Sequence, residues 1–335
     1  MKAITFTQHG LPIEDPQSLQ DAEVPKPAPG PQDLLVEVRA VSVNPVDTKV
    51  RAGTFAKEPK ILGWDAAGIV REVGSEVTLF QPGDEVFYAG SIARTGSYSE
   101  FHLVDERIVG HKPRSLSAAD AAALPLTSIT AWELLFDRLG VVEGSGEGKC
   151  LLIVGASGGV GSMLVQLARQ LTGLTVIATA SRPETADWVR QLGAHHVIDH
   201  HQPMPAQLQA LGLESVSYIA SLTHTEIHFQ QLVEMLRPQG RLGVIDDPQS
   251  LDVMPLKTKS LSLHWELMFT RSLFETPDMI NQHHLLNRVA SLIDEGLIQT
   301  TLGEHFGTIN AANMRRAHAL VESGKAKGKI VLEGF

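Results

Sequence analysis

Nine residues, VGASGGVGS at 154–162, hold the strongest chemical signal in this sequence. They follow an apolar run, KCLLIVG (149–155), and open an amphipathic one, GVGSMLVQLARQL (159–171). A glycine turn between a buried strand and a helix cradles pyrophosphate. Backbone N–H groups and the positive end of the helix dipole face the anion. Gly155, Gly158 and Gly161 have G-x-x-G-x-x-G spacing, a variant of the dinucleotide fingerprint. Gly155 is expected to permit the tight turn, and Gly158 and Gly159 to let pyrophosphate approach the backbone. Gly161 is expected to let helix and strand pack closely. Ser157 and Val160 complete the expected cofactor contacts of the loop. No Lys-Ser or Lys-Thr follows, so the loop does not read as a P-loop.

A second stretch, ATASRPE (178–184), ends the next strand roughly twenty residues past the loop. An NAD-preferring site places a carboxylate there, to bond the ribose 2′-hydroxyl. Here the strand ends in Ser181 and Arg182. A guanidinium pairs with a 2′-phosphate and a carboxylate repels it, so the cofactor is expected to be NADP(H). Glu184 follows closely and opposes that reading. His200 is a further candidate neighbour of the phosphate.

These residues need elements to carry them. From 149 onward strands and helices alternate: LTVIATA (174–180), PETADWVRQLG (183–193), HHVID (195–199), SVSYIAS (215–221), HTEIHFQQLVEMLRPQG (224–240) and RLGVID (241–246). Such alternation builds a parallel, doubly wound sheet. The first third reads differently. LLVEVRAVSV (34–43), AAGIVREVG (66–74) and DEVFY (84–88) are short strands separated by turns, as in a barrel-like β domain. SAADAAALP (117–125) reads as a helix with a serine N-cap, stopped by Pro125, and LTSITAWELLFDRLG (126–140) as a second helix ended by Gly140. The tail supplies one helix (311–325) and one strand, KIVLE (329–333). Those two elements cannot form a domain alone and are expected to return to the β domain.

Composition excludes several classes. The 335 residues are 43% hydrophobic and 20% charged, as a packed core requires. A net charge of −10 with no basic stripe argues against nucleic acid or an anionic membrane as partner. One cysteine, Cys150, rules out an intrachain disulfide and a cysteine zinc cluster, and fits a reducing compartment. The N-terminus lacks an apolar h-region, and no apolar run approaches the roughly 20 residues that span a bilayer, so a cytoplasmic location is expected. His195–His196, His200–His201 and His283–His284 are not expected to bind metal. Adjacent strand residues point to opposite faces.

Several stretches in order resemble the medium-chain dehydrogenase/reductase superfamily, and more closely its zinc-free quinone oxidoreductase branch. They are SVNPVDTKVRAG (42–53), LGWDAAGIVREVG (62–74), QPGDEVF (81–87), LPLTSITAWELL (124–135), VGASGGVGS and GKAKGKIVLE (324–333). The resemblance covers essentially the whole chain. It implies an α/β protein with a GroES-like β-barrel catalytic domain (1–126 and 271–335) and a Rossmann domain with a doubly wound parallel sheet (127–270). It also implies a cleft between them and a homodimer. It sets Asn44 where zinc-dependent members carry a first cysteine ligand, Trp64 where they carry a histidine, and Asp65 where they carry a glutamate. Amide and indole are poor zinc ligands, so the catalytic metal is expected to be absent. Asp65 then reads as a structural anchor, paired with a basic side chain such as Arg51.

Without a metal, reduction of a quinone or an activated C=C bond is easier than alcohol oxidation, because the acceptor is already electrophilic. The resemblance places Asn44 beside the nicotinamide, where its amide could donate to the acceptor oxygen. Asp47 either orients Asn44 or makes a turn contact with the backbone. Lys49 stands where several quinone reductases carry an aromatic, and either donates to a carbonyl or reaches solvent. Thr127 and Thr130 lie where the family contacts the carboxamide or ribose; as alternatives they are a helix cap and a core residue. Tyr88, Tyr98 and Trp265 either wall an apolar pocket or fill the core. The expected activity is NADPH-dependent reduction of a quinone or α,β-unsaturated carbonyl. Two alternatives stay open: a zinc-type alcohol dehydrogenase with an atypical metal site, and a non-catalytic NADPH-binding sensor.

Overall fold

The computed structural model describes residues 1–53 and 60–335. The chain divides into two compact units, Met1–Ile129 with Phe269–Phe335, and Thr130–Met268.

The first unit is built mainly of strands. In chain order it carries β1 (Lys2–Phe6), β2 (Gln20–Glu23), β3 (Asp33–Val43), α1 (Pro45–Gly53), β4 (Lys60–Ile61), β5 (Ala66–Val73), β6 (Glu85–Tyr88), β7 (Phe101–Asp105) and β8 (Val109–His111). Two short helices follow, α2 (Ala118–Ala122) and α3 (Pro125–Trp132), the latter crossing the division at residue 130. β3 is the spine. It pairs antiparallel with β5, with β7 and with the C-terminal strand, so its Leu34, Leu35 and Val36 are fully buried. Each such side chain contributes about 1.5–3 kcal/mol of transfer free energy. Gly68 on β5 has no room for a Cβ, which would lie 2.2 Å from the Glu37 carbonyl oxygen on β3. Ser117 caps α2 as expected, its hydroxyl accepting from the Asp120 N–H. Pro125 does not merely stop that helix. It opens α3, where its fixed φ suits the first turn and its missing N–H costs nothing. The helix expected to run unbroken to Gly140 changes after Trp132 into a π-helical stretch, Glu133–Arg138.

The second unit contains β9 (Cys150–Val154), α4 (Gly159–Leu171), β10 (Thr175–Thr179), α5 (Pro183–Gln191), β11 (His196–Ile198), α6 (Met204–Ala210), β12 (Val216–Ser221), α7 (Thr225–Met235), β13 (Leu236–Val244) and β14 (Ser262–Trp265). Its sheet runs β11-β10-β9-β12-β13-β14, with every neighbouring pair parallel. That is the 3-2-1-4-5-6 order of a doubly wound sheet. All five residues of β9 are buried, as a central parallel strand covered on both faces requires. β13 starts five residues before the expected RLGVID strand. A register irregularity against β12, between Val216 and Tyr218, takes in Pro238, which could not sit in a regular ladder.

The chain then returns to the first unit with α8 (Thr270–Leu273), α9 (Asn281–Asp294), β15 (Leu302–His305), α10 (Ala311–Glu322) and β16 (Lys329–Glu333). β16 lies antiparallel to β3, with Ile330 opposite Val43. Among the described residues no helix is long and apolar enough to cross a membrane.

Candidate functional site

The glycine loop sits at the C-terminal edge of the parallel sheet, between β9 and α4. There the strand order reverses from β10 on one side of β9 to β12 on the other. This is the crevice in which doubly wound sheets bind ligands. Gly155 has φ +79°, a conformation that disfavours side chains, and an added Cβ would lie 2.8 Å from the Thr223 methyl. Gly161 packs against Ala156, whose Cα would be 2.5 Å from an added Cβ. Gly158 is the N-cap of α4 and supplies no side-chain bond to the helix end. Among the described residues, the N-terminus of this 13-residue helix therefore has no side-chain cap bond, and it lies beside a bare glycine backbone. Ser157, Gly158, Gly159 and Val160 are partly exposed around that end. These residues fit a pyrophosphate.

Ser181 and Arg182 lie just past β10, on the same edge. Arg182 is the N-cap of α5, and Thr185 pins its backbone twice: the Thr185 hydroxyl donates to the Arg182 carbonyl at 2.9 Å and accepts from its N–H at 3.3 Å. The guanidinium rests 3.1 Å from Glu184 with both side chains well exposed. His200 follows β11, half-buried, its Nδ1 3.2 Å from the Thr179 hydroxyl. Burial pushes this imidazole below its usual range, so at neutral pH it offers a hydrogen bond rather than a charge. Thr179 was not singled out from the sequence, yet it joins the group. Its buried hydroxyl also accepts from the Gly155 N–H at 3.1 Å, tying loop, specificity strand and His200 together. A threonine ending the second strand of the motif was the available signal.

The first unit holds a separate polar cluster in an otherwise apolar interior. Asn44 lies between the end of β3 and the start of α1. Its backbone N–H donates to Asp47 Oδ2 at 2.6 Å, and the Asp47 N–H donates to the Asn44 carbonyl at 3.0 Å. Asp47 thus does make the backbone contact expected as its alternative role, closing the first turn of the helix. The Asn44 side-chain amide donates to Asp65 Oδ2 at 2.8 Å, and its oxygen accepts from Lys329. The Lys329 ammonium also lies 3.0 Å from the Val43 carbonyl and 3.1 Å from Asp65 Oδ2. Asp65 Oδ1 accepts from the Leu126 N–H at 2.8 Å, and the Tyr98 hydroxyl donates to Asp47 Oδ2 at 3.0 Å. All of these side chains are buried. The expected partner of Asp65 is corrected here. Arg51 binds Glu322 and the Leu11 carbonyl, and Lys329 is the cation at Asp65.

Other candidates fall outside this cluster. Lys49 is exposed on α1. The Thr127 hydroxyl donates to the Leu124 carbonyl at 3.1 Å within its own helix turn, and Thr130 is buried in the second unit. Tyr98, by contrast, belongs to the cluster through its hydroxyl on Asp47; Tyr88 is a fully buried core residue, whereas Trp265 is 53% exposed. Trp64 is buried edge-on to Phe269, with its N–H donated to the Ser91 carbonyl at 3.1 Å.

Two carboxyl groups face one ammonium in this cluster. Burial pushes Asp47 up to about 7, against the pull of the Asn44 N–H and Lys329, and burial also raises Asp65. The unfolded value for Asp47 is near 3.8. Between these two values the folded chain holds a proton that the unfolded chain releases, so this group makes stability fall as pH rises from about 4 to 7. Asp47→Asn removes that titration. Relative to wild type, its stability to urea is expected to be about 3 kcal/mol more favourable at pH 8 than at pH 5, from about two pH units at 1.4 kcal/mol each. A pH-independent difference between the two proteins contradicts this.

A 3-2-1-4-5-6 parallel sheet carrying this loop, in a chain whose other unit is strand-built and takes in the returning tail strand beside β3, has the build of a medium-chain oxidoreductase. Comparison with known proteins agrees. A family model described as an alcohol dehydrogenase GroES-like domain matches residues 30–114, and one described as a zinc-binding dehydrogenase matches residues 192–332. A zinc-type alcohol dehydrogenase-like protein of Staphylococcus aureus (strain MSSA476) is 39% identical over 99% of both chains. The crystal structure of a Rhizobium etli CFN 42 protein, proposed to be a zinc-dependent alcohol dehydrogenase, is 58% identical with a TM-score of 0.96. The match covers 100% of this chain and 98% of that one. The Escherichia coli quinone oxidoreductase complexed with NADPH is 26% identical with a TM-score of 0.84, over 99% of this chain and 100% of that one. The chain belongs to the medium-chain dehydrogenase/reductase superfamily, an oxidoreductase family, with a GroES-like unit and a Rossmann-type unit.

Zinc appears in several of these names, but the side chains at the expected positions do not fit the ion. The Trp64 indole N–H is a donor already used on Ser91, both ends of the Asn44 amide are engaged, and the Asp65 carboxylate faces an ammonium. Among the described residues no three His, Cys, Asp or Glu side chains are placed to hold a metal.

Proposed function

We propose that this protein is an NADPH-dependent reductase of quinones or α,β-unsaturated carbonyls that works without catalytic zinc. One observation carries the reading: an amide and an ammonium, Asn44 and Lys329, share Asp65 where a zinc-dependent relative needs metal ligands. Such a site offers hydrogen bonds and positive charge to an oxygen gaining electrons, but no Lewis acid to ionise an alcohol. Gly155 to Gly161 would hold the pyrophosphate and Arg182 the 2′-phosphate, with Ser181 and His200 beside it. Thr127 and Thr130 remain the proposed contacts toward the nicotinamide end. Bound NADPH supplies a hydride, and with one proton a quinone becomes a hydroquinone. The chain orients the acceptor, donates from Asn44 to its oxygen and holds a proton at Asp47. The quinone oxidoreductase of E. coli, complexed with NADPH, supports both the acceptor class and the cofactor.

The names of the other relatives favour a second reading, alcohol oxidation. A panel decides between them: NADPH oxidation with quinones, enones and aldehydes, and NADP+ reduction with primary and secondary alcohols. Quinones or enones are expected to be turned over with kcat/KM at least about 10²-fold above any alcohol, equivalent to about 2.7 kcal/mol of transition-state stabilisation. Turnover of alcohols alone, or of nothing in the panel, contradicts the proposal.

A further inference from the structure

We propose that Lys329 is the resident cation of this site, a positioning residue whose ammonium holds the Asn44 amide in one orientation where zinc-dependent members of the superfamily hold a metal ion. The inference rests on the reductase reading above and gives its acceptor-side donor a mechanism.

Lys329 is only 4% exposed, and a lysine is seldom so buried unless its charge is matched. An ammonium has three N–H donors, and three oxygens surround this one: the Val43 carbonyl, Asn44 Oδ1 and Asp65 Oδ2. The residue is not a mobile surface chain that has folded inward. β16 pairs with β3 so that Ile330 lies opposite Val43, and the next step along each strand brings Lys329 beside Asn44. Sheet register therefore fixes the charge.

The charge in turn fixes the amide. Asn44 turns its oxygen to the ammonium and its NH2 group to the Asp65 carboxyl. A flipped amide would set NH2 against NH3+ and carbonyl oxygen against carboxyl oxygen, two repulsions in place of two attractions, in a buried setting where both are strong. One Asn44 Nδ2–H is used on Asp65, and the other, held in the same fixed orientation, is the donor assigned to the acceptor oxygen. A divalent ion at the same oxygens would lie against the ammonium, so lysine and metal exclude each other.

The test uses the full chain with NADPH and 1,4-benzoquinone. Lys329→Ala is expected to lose about 10²-fold in kcat, the usual cost of a misplaced oxyanion donor, with KM for NADPH changed less than about twofold. Ethylammonium, which can refill the emptied position, is expected to restore about tenfold of that loss, and sodium at the same ionic strength none of it. Wild-type kcat in Lys329→Ala, or a loss that no alkylammonium ion restores, overturns the assignment. Where Lys329→Ala does not fold, Asp65→Asn/Lys329→Met removes both charges together and keeps the volume. The same kcat loss in that variant supports the role, and wild-type kcat overturns it. If the wild-type chain reduces no acceptor, the reductase reading falls by itself, and Lys329 is judged by metal content. No zinc after dialysis against zinc supports the resident cation; one zinc per chain that Asp65→Asn abolishes overturns it.

Discussion

Arg182→Ala is expected to weaken NADPH binding by about 10²-fold and NADH binding by less than about twofold, with fluorescence titration as the check. The size follows from what the side chain offers. Hydrogen bonds to charged groups contribute about 1.5–3 kcal/mol, and 2.7 kcal/mol is a hundredfold in Kd. Thr185 fixes the backbone from which the guanidinium projects, so the ordering still to be done when a phosphate arrives is that of the side chain. The competing Glu184 pair is weak. With side chains 38% and 59% exposed it is a surface ion pair worth about 0–1 kcal/mol, while a 2′-phosphate brings a charge of about −1.5 to −2. The preference for NADPH should shrink as salt is raised, because the contact is open to solvent. Equal losses for both cofactors would assign Arg182 to the helix end rather than to the phosphate.

Asn44→Ala is expected to lower kcat for quinone reduction by about 10²-fold while KM for NADPH stays within about twofold, since the variant deletes an acceptor-side donor and leaves the glycine loop intact. Stability also falls. Lys329 loses an acceptor and Asp65 a donor, and each buried group left unsatisfied costs about 1–3 kcal/mol. Kinetics should therefore be read well below the melting temperature of the variant. A rise in KM for NADPH with unchanged kcat would place Asn44 in cofactor binding and remove it from the acceptor side.

The glycine loop was legible because its parts are contiguous. Strand, turn and helix follow one another within residues 149–171, and the backbone demands of Gly155 and Gly161 arise from neighbours in the loop and at the ends of the adjoining strands. Strands β3, β5 and β6 and the returning KIVLE strand were legible from local apolar runs for the same reason, whereas β1, β2, β4, β7, β8 and β15 were not read from the sequence. The end of α2 was harder, because proline both stops one helix and starts the next. Local sequence carries no sign of which role prevails at Pro125. The π-helical stretch after Trp132 likewise leaves the 3.6-residue pattern without a breaker to announce it.

The polar cluster divides more sharply. The resemblance set Asn44, Trp64 and Asp65 at the zinc positions, where their residue types suit the ion poorly, and a turn contact of Asp47 with the backbone was one of two roles read for it. Neither could supply the cation. Arg51 was the near candidate in sequence, but α10 draws it to Glu322, while Lys329 reaches Asn44 from 285 residues away. That meeting depends on the antiparallel register of β16 against β3, which brings Lys329 beside Asn44, and a register is set by how whole strands bury their apolar faces. By itself the sequence determined many of the elements, the glycine loop between β9 and α4, and residue types that suit zinc poorly. Only the tertiary structure decided which charge stands there, because a buried ion pair is chosen by the packing that brings distant strands together.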